Sequence, residues 1–224
     1  MRVRHEWKHQ ITYEDYLVIS SRLRKIAQYD RYVGEDGFYT VHSLYFDNLN
    51  DKVLREKLDG LDRREKFRIR YYNEDSSHIM LEKKSKIHGL CDKQSVRLTK
   101  KQAESICNGD IDFLLHSGEK LCQELYAKMR YQLLKPRCFV EYERIPFVYK
   151  PGNVRVTFDS NIRTGLYHDK LFDGNATMIP AEQGTIILEV KYDAFLPEII
   201  EKAVRVPNRR ATAFSKYAVC RKYG

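Results

Sequence analysis

Lys66-Phe67-Arg68-Ile69-Arg70-Tyr71 alternates cation and hydrophobe, and Tyr72 closes the stretch. An extended strand sends successive side chains to opposite faces, so Lys66, Arg68 and Arg70 share one face while Phe67, Ile69 and Tyr71 share the other. If the apolar face packs against protein, the three cations must line a surface or a cavity of their own. A single such strand is matched by any sheet with one wet face. The pattern constrains the fold because it recurs along the chain.

Val3 to Ile11 alternates too, with Arg4, Glu6, Lys8 and Gln10 on one face and His5, Trp7, His9 and Ile11 on the other. Ile79 to Lys86 places Met80, Glu82, Lys84 and Lys86 together, and Asp92 to Thr99 places Lys93, Ser95, Arg97 and Thr99 together. Val154 to Ser160 sorts Arg155, Thr157 and Asp159 from Val154, Val156 and Phe158, and Thr185 to Asp193 sorts Glu189, Lys191 and Asp193 from Leu188, Val190 and Tyr192. Phe38 to Asp47 reads as a strand with both faces partly apolar, and Arg137 to Arg144 as a strand that the pattern does not orient.

Between these strands the spacing predicts helices. Thr12 and Asp15 make a T-x-x-D cap ahead of Tyr16, Ile19, Leu23 and Ile26. A short helix is expected from Asn50 to Leu58, another between Thr99 with Gln102 and Asn108-Gly109, a longer one from Glu119 to Leu134 stopped by Pro136, one from Glu198 to Val204 behind Pro197, and a last from about Ala211 to Tyr223. Gly165 to Gly184 is aperiodic and reads as a loop, and Asn208-Arg209-Arg210 as a solvated turn. No repeat or linker divides the chain, so residues 1–224 read as one domain.

Strands that repeatedly set Lys or Arg on one face, an apolar opposite face and amphipathic helices together predict an α+β fold: an antiparallel β-barrel with a cation-lined lumen and helices packed outside. Lys plus Arg number 40 against 31 Asp plus Glu, and this +9 excess favours an anionic ligand. Uncompensated buried charge is costly, so such a lumen needs a polyanion or many waters. Glu6, Glu82 and Glu189 share the cationic parity; they suit lysine pairing, or a divalent cation that also binds phosphate oxygens. A metal-bound triphosphate fits this better than nucleic acid, whose bases would want stacking aromatics among the cations, so no nucleic acid is expected.

Five scattered cysteines with no C-x-x-C pair suggest neither a disulfide framework nor zinc, and seven histidines show no ligand spacing. No apolar run of membrane-spanning length and no signal pattern is seen, so a cytoplasmic protein is expected.

The motifs R-H-E-W-K (4–8), S-L-Y-F-D (43–47), K-F-R-I-R-Y-Y (66–72), L-E-K-K (81–84), K-Q-S-V-R (93–97), E-Y-E-R (141–144), V-R-V-T-F-D (154–159), L-E-V-K-Y (188–192) and F-S-K-Y (214–217) follow one another in an order that resembles the VTC-type polyphosphate polymerase domain of the triphosphate tunnel metalloenzymes, a CYTH-like superfamily. The resemblance implies a phosphotransferase that passes the γ-phosphoryl of ATP to a growing inorganic polyphosphate chain, with Mn²⁺ or Mg²⁺. It implies that Lys8, Arg68, Arg70, Lys84, Arg144, Arg155, Lys191 and Lys216 line the reacting phosphates. Lys93, Arg97, Tyr142, Ser215, Glu6 and Glu82 would contact substrate, and Glu189 would bind the metal; Tyr142 and Arg144 would then face inward. Many hydrolases of the superfamily begin E-x-E-x-K, whereas here the first position is Arg4. The alternatives are a triphosphatase, acting on tripolyphosphate or a nucleoside triphosphate, with Glu6 or Glu82 positioning water, and a non-catalytic polyphosphate- or nucleotide-binding module. A membrane-protein partner encoded elsewhere is compatible with a polymerase; the sequence is silent on oligomeric state.

Overall fold

A computed structural model describes residues 4–88, 90–165, 171–172, 174, 176–205 and 213–223. In chain order the elements are β1 (His5–Ile11), α1 (Tyr13–Ile26), β2 (Gln28–Tyr29), β3 (Tyr39–Asp47), α2 (Lys52–Leu58), β4 (Arg64–Tyr72), β5 (Asp75–Ile87), β6 (Leu90–Leu98), α3 (Lys100–Asn108), α4 (Asp112–Leu115), α5 (Lys120–Tyr131), β7 (Lys135–Tyr149), β8 (Val154–Gly165), β9 (Met178–Glu182), β10 (Ile186–Tyr192), α6 (Glu198–Val204) and α7 (Lys216–Cys220). The fold is α+β. Hydrogen bonding orders the strands β1-β10-β8-β7-β3-β4-β5-β6, with β2 on β7 and β9 on β8, and every pair whose register is defined runs antiparallel.

The chain forms two compact units, one of Met1–Thr40, Tyr142–Ile162 and Glu182–Ser215, the other of Val41–Glu141, Arg163–Ala181 and Lys216–Gly224. In the first unit, β1, β10 and β8 pair side by side and turn Ile11, Val154, Val156, Phe158, Ile186, Leu188 and Val190 into a core closed by Ile19 and Leu23 of α1 and Ile200, Ala203 and Val204 of α6. The Thr12 cap is reciprocal: the Asp15 N–H donates to Thr12 Oγ1 (3.3 Å) and the Thr12 N–H to Asp15 Oδ2 (3.1 Å). Both donors would otherwise be orphaned at a helix start.

In the second unit β3, β4, β5 and β6 pair in sequence. Phe67, Ile69, Tyr71, Ile79, Leu81 and Leu98 pack beneath them against Ala103 and Ile106 of α3, Leu114 of α4 and Leu121, Cys122, Leu125 and Met129 of α5. Thr99 and Gln102 form the second reciprocal cap, and Gly109, at φ 88°, ends α3 in the left-handed conformation that favours glycine.

Several boundaries differ from the sequence reading. Helix α5 ends at Tyr131, well before Pro136: Leu133 turns left-handed at φ 56° and the Leu134 N–H returns to the Lys128 carbonyl (3.3 Å). Pro136 instead lies near the start of β7, where a missing N–H is tolerated. The segment 165–184, read as a loop, holds strand β9 near its end, while residues 166–170, 173 and 175 lie outside the described residues. Its five residues include Pro180, which masks a strand in a sequence pattern. The last helix begins only at Lys216 and gives way to a 3₁₀ turn over Arg221–Tyr223; Ala211, Thr212 and the Asn208-Arg209-Arg210 turn lie outside the described residues. No helix among the described residues is long and apolar enough to cross a membrane.

Candidate functional site

In the second unit the register of β4, β5 and β6 stacks the charged face in rows. Lys66 lies opposite Lys84, which lies opposite Lys93. Arg68 faces Glu82 and then Ser95; Arg70 faces Met80 and then Arg97; Arg64 faces Lys86. Like charges directly across strands destabilise a sheet, so the Lys66-Lys84-Lys93 alignment works against the pairing of these strands.

Glu82 is the buried carboxylate amid these cations and is 4% exposed. Its Oε2 accepts from Arg68 Nε (2.7 Å) and Nη2 (2.6 Å) and lies 3.8 Å from Arg70 Nη1; its Oε1 is 2.6 Å from Lys93 Nζ. Burial alone would raise its pKa, but Arg68, Arg70 and Lys93 hold it well below the usual carboxylate range. Strand β3 adds Ser43, whose Oγ accepts from Arg70 Nε (3.2 Å), and Tyr45, whose hydroxyl accepts from Arg68 Nη1 (2.9 Å). A cleft enclosing about 230 Å³, open solvent included, is lined by Lys66, Arg68, Glu82, Lys83, Lys84 and Lys93. The expected residues Arg68, Arg70, Glu82, Lys84 and Lys93 thus share one face; exposed Arg97 is on it too, its Nη2 donating to the Ser77 carbonyl (2.7 Å).

The first unit's charged face is built differently. Lys8 lies opposite Glu189, Glu6 opposite Lys191, and Lys191 opposite Arg155. Lys8 Nζ is 2.6 Å from Glu6 Oε1 and 3.4 Å from Glu189 Oε2, while Lys191 contacts Glu189 and lies 3.8 Å from Glu6 Oε2. Charges therefore alternate around a square. Burial works against the Lys8 charge, but Glu189 and Glu6 outweigh it and raise its pKa; burial likewise opposes ionised Glu189, which Lys191, Lys8 and Arg144 hold well below the ordinary range.

Arg144 reaches this face from β7: Nε and Nη2 clasp the Asp159 carboxylate at 2.6 and 2.8 Å, and its guanidinium lies 5.3 Å from the ring centroid of buried Tyr142. Asp159, fully buried, lies on the Arg155 parity of β8, which orients the strand that the sequence pattern left open. Arg155 Nη2 donates to the Tyr39 hydroxyl and pairs with Asp30, each at 2.8 Å. Lys216 opens α7, with Ser215 just before it.

Sequence reasoning passed over Ser43, Tyr45, Tyr39, Asp30 and the pairing of Asp159. Ser43 and Tyr45 become visible only through the β3–β4 register, which sets them opposite Arg70 and Arg68, and helix α2 separates those strands in the chain.

Among the described residues no three His, Cys, Asp or Glu side chains converge as a metal cage. Glu189, with Glu6 beside it across the lysine pair, supplies the one or two carboxylates that a magnesium-like ion takes when phosphate oxygens and water complete its shell. The donor set fits an ion that arrives on phosphate.

No curated protein matches the chain. Solved structures similar to it include a Bacillus halodurans protein described as a candidate adenylate cyclase (15% identity, 90% of this chain and 86% of that one, TM-score 0.48) and the PH1012 protein of Pyrococcus horikoshii OT3 (12% identity, 91% and 85%, TM-score 0.45). The family model for the VTC domain matches residues 3–223, nearly the whole sequence. The chain belongs to the VTC domain family.

Proposed function

We propose that the protein is an ATP-dependent polyphosphate polymerase. The observation that carries this reading is the Lys66-Lys84-Lys93 row: three lysines aligned across three strands beside a single buried carboxylate call for a repeating anion rather than a lone charge. The family membership and the resemblance of the motifs point to the same ligand class.

In the proposed reaction a terminal oxygen of the polyphosphate chain forms a bond to the γ-phosphorus of ATP as the bond from that phosphorus to the β–γ bridging oxygen breaks, releasing ADP. The attacking oxygen is already ionised, so no general base is needed. The transition state is loose, and catalysis rests on alignment and on neutralising charge. Arg68 and Arg70, braced by Glu82, Tyr45 and Ser43, present fixed guanidinium groups to phosphate oxygens. Lys84 and Lys93 supply point charges along the chain. In the first unit, Lys8, Lys191, Arg144 and Arg155 are each held by a carboxylate, which fixes their positions before substrate arrives. Glu189 would hold Mn²⁺ or Mg²⁺, which when bound offsets charge on the β- and γ-phosphates. Arg4, at the position where hydrolases of the superfamily carry a carboxylate, is engaged with Asp193 (3.0 Å) and the Asn153 carbonyl (2.6 Å).

Incubation of the protein with ATP and Mn²⁺, with products resolved by size, tests the reading. Polyphosphate chains are expected, and Glu189→Gln should lose turnover while still binding tripolyphosphate. Orthophosphate as the sole product would assign a triphosphatase instead, and binding without any turnover would assign a sensor module.

A further inference from the structure

Tyr45 sits where a phenol is out of place. It is buried, and its hydroxyl has one hydrogen-bond partner among the described residues, Arg68 Nη1 at 2.9 Å, which can only donate. Lys66 Nζ lies 5.3 Å and the Arg68 guanidinium 5.7 Å from the ring centroid. The carboxylates nearby are committed elsewhere. Glu82 on β5 is held by Arg68 and by Lys93 of β6, and Asp47 on β3 accepts from the Tyr217 hydroxyl of α7 and from the backbone N–H groups of Val53 and Leu54 in α2. Tyr217 itself packs its ring 5.2 Å from that of Tyr45. Arg70, next along β4, adds a third positive charge. The phenol's hydrogen bond is therefore to a cation, and both nearby carboxylates are engaged by other donors.

We propose that Tyr45 is a proton-linked positioning residue of the phosphate face: it holds Arg68 as a phenolate while the face is empty and takes up a proton when phosphate binds. This rests on the reading of that face as a phosphate site. The physical cause is competition between two anions. Burial alone would raise the phenol's pKa, but Arg68, Lys66 and Arg70 bring it down to about 7. A phosphate engaging the same cations withdraws that stabilisation and repels the phenolate, so the phenol recovers its proton from solvent. Below the empty-state value the phenol is already neutral and binding is pH-independent; above it, each bound phosphate must draw in a proton, and affinity falls as pH rises.

Tripolyphosphate binding measured by calorimetry, in paired buffers of different ionisation enthalpy, reads the proton directly. Net uptake on binding is expected for wild type near pH 8 and is expected to shrink in Tyr45→Phe, whose comparison removes titration of the ligand itself. Relative to Tyr45→Phe, wild-type affinity should fall by up to about fivefold between about pH 7 and about pH 8. The wild-type tyrosinate ultraviolet absorbance near neutral pH, quenched by tripolyphosphate, needs no variant and so remains decisive if Tyr45→Phe fails to fold. Equal pH profiles, equal proton uptake, or no tyrosinate signal in wild type would overturn the proposal while leaving the phosphate site standing. Absence of tripolyphosphate binding by wild type at any pH would overturn both.

Discussion

Lys84 lies between Lys66 and Lys93 in a three-strand row, and Lys84→Met tests whether that row is a cost accepted for binding. Methionine keeps most of the length and apolar stem of lysine and removes the charge. Each directly opposed like pair costs roughly 0.2–1 kcal/mol, and two are relieved. Lys93 is exposed and its ammonium already rests on Glu82 at 2.6 Å, so its share is discounted. A gain of about 0.5–1 kcal/mol follows, which for a chain of this size raises Tm by about 1–4 °C. Binding moves the other way. Losing one charge-assisted contact to phosphate costs about 1.5–3 kcal/mol, or about 10- to 100-fold in tripolyphosphate affinity. Because ligand binding adds stability as the logarithm of one plus the ratio of free ligand to Kd, the two melting curves should exchange order once tripolyphosphate is present in excess. Thermal melts of both proteins with and without tripolyphosphate decide it. A ligand-free Lys84→Met protein that melts below wild type would refute the strained row, and equal stabilisation of both proteins by tripolyphosphate would refute the role of Lys84 in binding.

Two further outcomes concern the carboxylates. Arg144→Ala leaves the fully buried Asp159 without its two-pronged partner and should cost about 3–5 kcal/mol in urea unfolding, most of which Asp159→Asn in the same chain should recover; costs that simply add would mean the pair is not coupled. Glu82 and Glu189 both have folded pKa values depressed below their unfolded values, so their contribution is present above the ordinary glutamate range of about 4.3 and is lost as pH falls below it. The urea midpoint of wild type should therefore decline in acid, and Glu82→Gln should flatten that decline while lowering the midpoint at neutral pH; an unchanged acid slope would remove Glu82 from the account.

Strand periodicity and helix caps were the legible part of this fold. Lys66, Arg68 and Arg70 could be separated from Phe67, Ile69 and Tyr71 because the strand period is two, and the helix starts at Thr12 and Thr99 because a capping box is written within four residues. What depends on a partner strand was not legible. The β7 strand runs through Pro136 and Pro146 to Tyr149 and β9 through Pro180, three prolines that a local pattern treats as breaks. Tyr45 reads in sequence as an ordinary half-buried aromatic; only its place opposite Arg68 makes it an anion candidate. Asp30 and Asp159 similarly gain their meaning from Arg155 and Arg144, each on another strand or segment.

The same limit explains why two faces that look alike in sequence differ in what they demand. Lys8 and Lys84 each occupy the charged parity of an amphipathic strand. Lys8, however, meets Glu189 across the strand pair, and its square with Glu6 and Lys191 is balanced, so the fold bears it without a ligand. Lys84 meets Lys66 on one side and Lys93 on the other, with Glu82 already shared among Arg68, Arg70 and Lys93. Like charges set directly across strands weigh against the sheet, so on the proposed reading a bound anion would do more for the stability of the second unit's face than for the first. The first unit's balanced cluster is instead suited to precise placement, because each cation there is already oriented by a carboxylate before any substrate binds.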